Sequence, residues 1–192
     1  MCEKPSHSIL LHNSHWASNI GNPFFTLGVE HVLSRVCSES SVLCTDQLSS
    51  LCWNPSAAQK KRDLQYIKYS QPDWFVITGP FLTPRYLREY EPVLETIKSY
   101  SPNTRFIALS AGGNTYSSEE KSETQRFLKK FPLRALFTRD RHAYEAYASY
   151  AESAYDGCCF GFFAPDYYPG YDTPSLPNYL TLTFDNIPEP RF

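Results

Sequence analysis

Short apolar runs alternate along the chain with longer stretches whose apolar positions recur at helical spacing. Ile9-Leu10-Leu11 opens the series and predicts a strand over residues 8–13, running into polar residues where a strand end meets a loop. Between Pro23 and Val36, residues Phe24, Leu27, Val29, Val32, Leu33 and Val36 repeat at close to helical spacing, which predicts a helix with Pro23 in its first turn. Residues 41–44 predict a second short strand, and residues 56–69 predict an amphipathic helix opening on the N-cap serine Ser56. Trp74-Phe75-Val76-Ile77 is continuously apolar, as the buried centre of a parallel sheet requires, and it stops at Thr78-Gly79-Pro80. The unit then repeats. A helix over 84–100, broken or bent at Pro92, leads to a strand over 106–109 closed by Ser110-Ala111-Gly112-Gly113. The next helix, 117–130, has Glu119 and Glu120 at its positive end and Lys129 and Lys130 at its negative end. A strand over 135–138 and a helix over 141–151 complete the pattern. Such alternation is the signature of βαβ units with right-handed crossovers, so the expected fold is α/β, a Rossmann-like parallel sheet flanked by helices.

After Ala154 the texture changes, because Gly157, Gly161, Pro165, Pro169, Gly170, Pro174 and Pro177 break any long helix. The expected division is a Rossmann-like domain over 1–164, a Pro/Tyr-rich linker over 165–178, and the start of a second, missing lobe over 179–192, where Tyr179 to Phe184 alternate as a new strand would. A chain of 192 residues and 22.1 kDa is long enough to bury one sizeable core. Its 42% hydrophobic and 20% charged residues are ordinary globular usage rather than that of a disordered chain. A net charge of -2 and a pI near 6.2 supply no overall attraction to nucleic acid, and no nucleic-acid partner is expected. The apolar run at residues 9–11 is too short for a signal-peptide core or a membrane span, which predicts a cytoplasmic chain with no transmembrane segment. The six cysteines show no CxxC spacing: Cys37, Cys44 and Cys52 are spread out, and Cys158-Cys159 are adjacent. They are expected to be reduced, buried thiols, with no metal site.

In an open parallel sheet, ligands bind outside the carboxyl ends of the strands, where loops lead into helix N-termini. That rule selects the loops 13–22, 78–81, 110–116 and 138–141. In the first, Gly21 permits close backbone approach, and the amides of Asn19 and Asn22 can donate to and accept from sugar hydroxyls; equally, Asn22 can cap the helix and Asn19 shape the turn. His7, His12 and His15 lie nearby, but nothing sets one against a nucleophile, so surface or packing roles are expected and no catalytic base is identified. Gly112-Gly113 lies outside any GxGxxG or GxxxxGK spacing, which removes support from nicotinamide and P-loop readings. Arg139 can clamp a carboxylate or phosphate, while Asp140 can hold that arginine or cap the following helix. A Cys158–His142 pair has no local signature, and Tyr167, Tyr168 and Tyr171 are expected to pack rather than stack on sugars.

Four segments together resemble the polysaccharide pyruvyl transferase family. They are Ser18-Asn19-Ile20-Gly21-Asn22 before an apolar helix, Pro72-Asp73-Trp74-Phe75-Val76-Ile77-Thr78-Gly79, Ile107-Ala108-Leu109-Ser110-Ala111-Gly112-Gly113, and Phe137-Thr138-Arg139-Asp140, in the family's order and spacing. Asp156-Gly157-Cys158-Cys159-Phe160 and the run from Leu182 to Pro190 look like the end of that family's first domain and the beginning of its second. The resemblance implies the N-terminal lobe of a two-lobed fold similar to GT-B glycosyltransferases. It further implies transfer of pyruvate from phosphoenolpyruvate, the donor substrate, to sugar hydroxyls of a polysaccharide precursor as a ketal. No other cofactor is implied. This lobe would hold the acceptor, with Asn19, Gly21, Asn22, Gly79, Ser110, Gly112, Arg139 and Asp140 lining its groove. The donor would be bound largely by basic residues of a C-terminal lobe that this chain lacks, so the chain alone is expected to be inactive. Asn22 departs from the family, which often has an aspartate there. The alternative is a non-catalytic carbohydrate- or nucleotide-binding module.

Overall fold

A computed structural model describes residues 7–12, 21–45 and 64–167. Six strands form one sheet: β1 (Ser8–His12), β2 (Ser41–Thr45), β3 (Trp74–Thr78), β4 (Arg105–Ala111), β5 (Leu133–Thr138) and β6 (Ala151–Asp156). Every neighbouring pair is parallel, in the order β2-β1-β3-β4-β5-β6. The helices are α1 (Gly21–Val36), the single turn α2 (Ile67–Ser70), α3 (Pro84–Tyr100), α4 (Ser118–Lys130), α5 (Arg141–Tyr147) and the short α6 (Ala164–Tyr167). The expected Rossmann-like α/β fold is therefore the observed one.

Alternation along each strand feeds two cores. Leu10, Phe75, Ile77, Phe106 and Ala108 point to one face and pack with Leu87, Tyr90, Leu94 and Ile97 of α3, Phe127 and Leu128 of α4, and Ala143 and Tyr147 of α5. Ile9, Leu11, Val76 and Leu109 point to the other face, against Val29 of α1. Both faces are thus covered, as a parallel sheet requires. At the amino edge of the sheet, Ser8 donates its N–H (2.8 Å) and its hydroxyl (3.1 Å) to Asp73, tying β1 to the start of β3. The Ser8 N–H is the main reason the Asp73 carboxyl is held below its ordinary pKa.

Of the break or bend expected at Pro92, the break does not occur: α3 runs on through it. Pro92 lies on the exposed face, away from Tyr90, Val93, Leu94 and Ile97, and its carbonyl accepts from Thr96 Oγ1 at 2.8 Å. Most of the helix expected over 56–69 lies outside the described residues. Its end is seen as α2.

The largest correction is at the far edge. The helix expected to reach Ala151 stops at Tyr147; a 3-10 turn over Ala148–Tyr150 follows, and Ala151–Asp156 is strand β6, which pairs with β5. The sequence Ala-Glu-Ser-Ala-Tyr-Asp lacks an apolar run, and among the described residues this strand pairs with β5 alone and keeps no fully buried residue. Beyond it, a second 3-10 turn (Phe160–Phe163) and α6 pack onto α1. The expectation of buried cysteines also fails among the described residues: Cys158 is exposed, and Cys37 and Cys159 are half-buried, because they sit at a helix end and in the loop after β6.

The contact between α1 and the 160–163 turn closes at Gly28, where a Cβ would overlap the Phe160 carbonyl oxygen. Alanine in an exposed helix interior is worth about 1 kcal/mol more than glycine. Here the overlap should reverse the sign, with Gly28→Ala destabilising the fold by about 1–3 kcal/mol. A lower denaturation midpoint in urea checks this, and a raised midpoint would show that the two segments separate at no cost.

Candidate functional site

The chain reverses its direction of growth across the sheet between β1 and β3, since β2 lies outside β1 while β3 to β6 follow in order on the other side. Ligand crevices of open parallel sheets form at the carboxyl ends of strands beside such a reversal. On the β1 side, Asn19 lies outside the described residues. Gly21 and Asn22 are the first two residues of α1, so the helix begins two residues before the expected Pro23. His12, at the end of β1, is buried at 1% exposure; its ring stacks on Phe75 at 6.0 Å and meets Tyr90 edge-on at 5.1 Å. That is a packing role.

On the β3 side the strand ends at Gly79, with φ +80, a left-handed conformation that disfavours any residue with a side chain. The Phe25 ring lies against it, 3.2 Å from where a Cβ would be. The chain then turns so that Leu82 donates its N–H to the Gly112 carbonyl at 3.1 Å, joining the β3–α3 loop to the β4–α4 loop. Arg139 donates its N–H to Ala111 at 2.9 Å, which brings the end of β5 to the same rim. Gly112 gives the Arg139 side chain its room, because a Cβ there would sit 2.5 Å from Arg139 Nε. Gly79, Gly112, Arg139 and Asp140 therefore converge on one rim of the sheet.

Ser110 plays a different part. It is fully buried with φ 59, and between Ala108 and Ala111 strand β4 carries one residue more than β5. This bulge turns Ala111 to the α3/α4/α5 face, and the Ser110 hydroxyl accepts the Phe160 N–H at 3.1 Å. Its oxygen joins β4 to the 160–163 turn.

The β4–α4 loop is built around a carboxylate. Ser117 N-caps α4 by accepting the Glu120 N–H at 3.2 Å, but Glu120 reaches back past the cap. Its oxygens accept from the N–H groups of Asn114 (2.9 Å), Thr115 (3.1 Å) and Tyr116 (3.2 Å) and from Thr115 Oγ1 (2.9 Å). Burial opposes the charge on Glu120, yet these four donors outweigh it and hold the carboxyl below its ordinary pKa. Tyr116, with φ 53, accepts the Gly113 N–H at 2.8 Å and donates to Asp140 at 2.8 Å. Burial first, and the Asp140 carboxylate next among the raising causes, push the Tyr116 phenol well above its ordinary range. Asp140 also accepts the Ala143 N–H at 2.8 Å and caps α5. Its carboxylate is thus engaged in shaping the rim.

Between the β3–α3 and β4–α4 loops lies an open groove of about 560 Å³. Pro80, Thr83, Gly113 and Asn114 form its walls, and Arg85, Arg88 and Arg139 line it. Sequence reasoning found Arg139 but missed Arg85 and Arg88, which read as the solvated face of a helix, and missed Glu120 and Tyr116. The Ser117-x-x-Glu120 spacing, that of a capping box, was the available signal for Glu120. Among the described residues no group of three His, Cys, Asp or Glu side chains is arranged to hold a metal ion, and no helix is long and apolar enough to cross a membrane. No protein-family model, curated protein or solved structure matches the chain.

Replacing Glu120 by glutamine sets an amide NH₂ among N–H donors and should cost about 1–3 kcal/mol at neutral pH. Because the folded pKa is depressed, the stabilisation is complete above the unfolded value of 4.5 and is lost as pH falls through the folded value. The wild type should therefore lose stability on acidification more steeply than Glu120→Gln, with Asp73 supplying a residual slope in both. Urea midpoints measured from pH 7 to pH 3 check this, and parallel curves would show that the Glu120 charge does not hold the loop.

Proposed function

We propose that this chain is the acceptor-side lobe of a pyruvyl transferase-like enzyme, holding a sugar whose hydroxyls receive pyruvate from phosphoenolpyruvate. The observation that carries the reading is the convergence of Gly79, Gly112, Arg139 and Asp140, from three separate segments of the family resemblance, on one rim beside an open groove. Those segments lie far apart in sequence, and the crossings of Leu82 to Gly112 and of Arg139 to Ala111 join them beside the groove, with Arg139 among its lining residues. In the proposed reaction one sugar hydroxyl adds to the enol carbon of the donor while the methylene takes up a proton to become the methyl group. The second hydroxyl forms the other ketal C–O bond as the C–O bond to phosphate breaks, one of the two hydroxyl protons offsetting that taken up by the methylene and the other leaving with inorganic phosphate. The role of this lobe is to fix the sugar in one orientation, which lowers the entropic part of the barrier. The donor would be supplied on a second lobe, in keeping with the resemblance.

Calorimetric titration with mono- and oligosaccharides, followed by phosphate-release assays with phosphoenolpyruvate, tests the proposal. Sugar binding by the chain should be accompanied by phosphate release only when a pyruvyl transferase C-terminal lobe is added. Release by the chain alone would overturn the division between lobes. Sugar binding with no release in the presence of the second lobe would favour a carbohydrate-binding module instead.

A further inference from the structure

We propose that the groove between the β3–α3 and β4–α4 loops is a phosphoryl-binding site, and that the sugar held by this lobe carries its phosphate there. The inference deepens the acceptor reading and rests on it for the sugar, though not for the phosphate. Three arginines from two distant parts of the chain, Arg85 and Arg88 on α3 and Arg139 after β5, line one open groove of about 560 Å³, which is ample for a phosphorylated sugar. Guanidinium groups match the planar spacing of phosphate oxygens and bind them through paired N–H donors.

The negative groups nearby are already engaged. Among the described residues Glu120 is the one carboxylate lining the groove, and both of its oxygens accept hydrogen bonds from residues 114–116. Asp140 is bound to Tyr116 and to the cap of α5. Arg85 and Arg88 meet Glu89 and Glu123 at 3.4 Å each, with the arginine side chains 60% and 67% exposed. An exposed pair of that length contributes little, so a dianion can draw the Arg88 guanidinium inward at small cost. Arg139 forms no ion pair among the described residues; its guanidinium lies 5.6 Å from the centre of the Phe25 ring, which orients it while leaving its donors for a ligand. The first turn of α3 also opens on the groove through Thr83 and Pro84, and the Thr83 side chain makes no capping hydrogen bond, so the positive end of a 17-residue helix adds to the same field.

The test titrates the full chain with inorganic pyrophosphate, glucose 1-phosphate, phosphoenolpyruvate and neutral glucose, at low and moderate salt. Arg88→Gln and Arg139→Gln together should weaken pyrophosphate and glucose 1-phosphate by about tenfold or more, as loss of paired charge-assisted donors predicts. Raising the salt should weaken wild-type binding in the same direction. Arg134→Gln serves as the control, since Arg134 pairs with Glu152 on the β5–β6 edge and is absent from the groove, and it should leave binding unchanged. Thermal melts confirm that each variant folds; should the double variant melt early, Arg88→Gln alone, whose side chain is exposed, carries the test. Unchanged pyrophosphate binding in the groove variants, or none in the wild type, overturns the site. Pyrophosphate binding lost in the variants, with neither sugar bound, supports the phosphoryl site and removes the acceptor reading. Glucose bound as tightly as glucose 1-phosphate keeps the acceptor reading and overturns the phosphate assignment. Phosphoenolpyruvate bound more tightly than glucose 1-phosphate would likewise overturn the assignment of that phosphate to the sugar.

Discussion

A parallel sheet must be covered on both faces, and in this chain the two covers are unequal. Helices α3, α4 and α5 bury one face with long aromatic and aliphatic side chains. On the other face the described residues supply α1 and the short segment after β6, which packs against α1. Two local devices hold that second cover. Gly28 lets the Phe160 backbone approach α1, and the bulged Ser110 reaches across from β4 to bind the Phe160 N–H. The same bulge reverses the facing of Ala111, so the strand residue before Gly112 belongs to the opposite core. One irregularity in β4 thereby joins the closing of the second face to the shape of the rim where Gly112 and Arg139 meet.

Strands β3 and β4 were legible over 74–77 and 106–109 because a strand buried on both faces is apolar along its length; the ends that extend β4 to Arg105 and Ala111 are not apolar runs and were read as loop. Strand β6 was not legible, and its physics explains why. Among the described residues it pairs with β5 alone, and main-chain hydrogen bonds of that pairing leave no mark on side-chain hydropathy. Ala151 and Ala154 face partly inward, but two alanines cannot announce a strand in the middle of Glu, Ser, Tyr and Asp. Pro92 misled in the opposite direction: a proline costs a helix one backbone hydrogen bond and a clash with the carbonyl four residues back, yet the buried packing of Tyr90, Val93, Leu94 and Ile97 carries α3 past it.

The site was legible where backbone dictates residue type. Gly79 requires a positive φ and Gly112 requires the absence of a Cβ, and both stood out as glycines at strand ends. Side chains that act across the fold were harder to see. Ser110 sits among the expected site residues in sequence, yet its hydroxyl is spent on Phe160. Arg85 and Arg88 lie more than 50 positions before Arg139, and the crossings of Leu82 to Gly112 and of Arg139 to Ala111 bring them to one groove. Charge on a helix is ordinarily a solvated face, and no pattern within α3 marks these two as anything else.

The Glu120 network decides what kind of recognition this rim can offer. In a glycine-rich phosphate loop, successive backbone N–H groups are left open and the anion completes them. Here the N–H groups of Asn114, Thr115 and Tyr116 converge in the same manner, but the carboxylate they enclose belongs to the chain. Gly113 is likewise bound, to the Tyr116 phenol. The loop is therefore rigid before any ligand arrives, and it has no backbone donors left among those four residues. Anion binding at this rim falls to side chains, and the groove has three guanidiniums to provide it. A glycine-rich fingerprint and an internal carboxylate are alternative ways to hold such a loop in shape, so a chain that uses Glu120 has no use for the fingerprint, and its pair of glycines serves instead to let Arg139, Tyr116 and Glu120 close in.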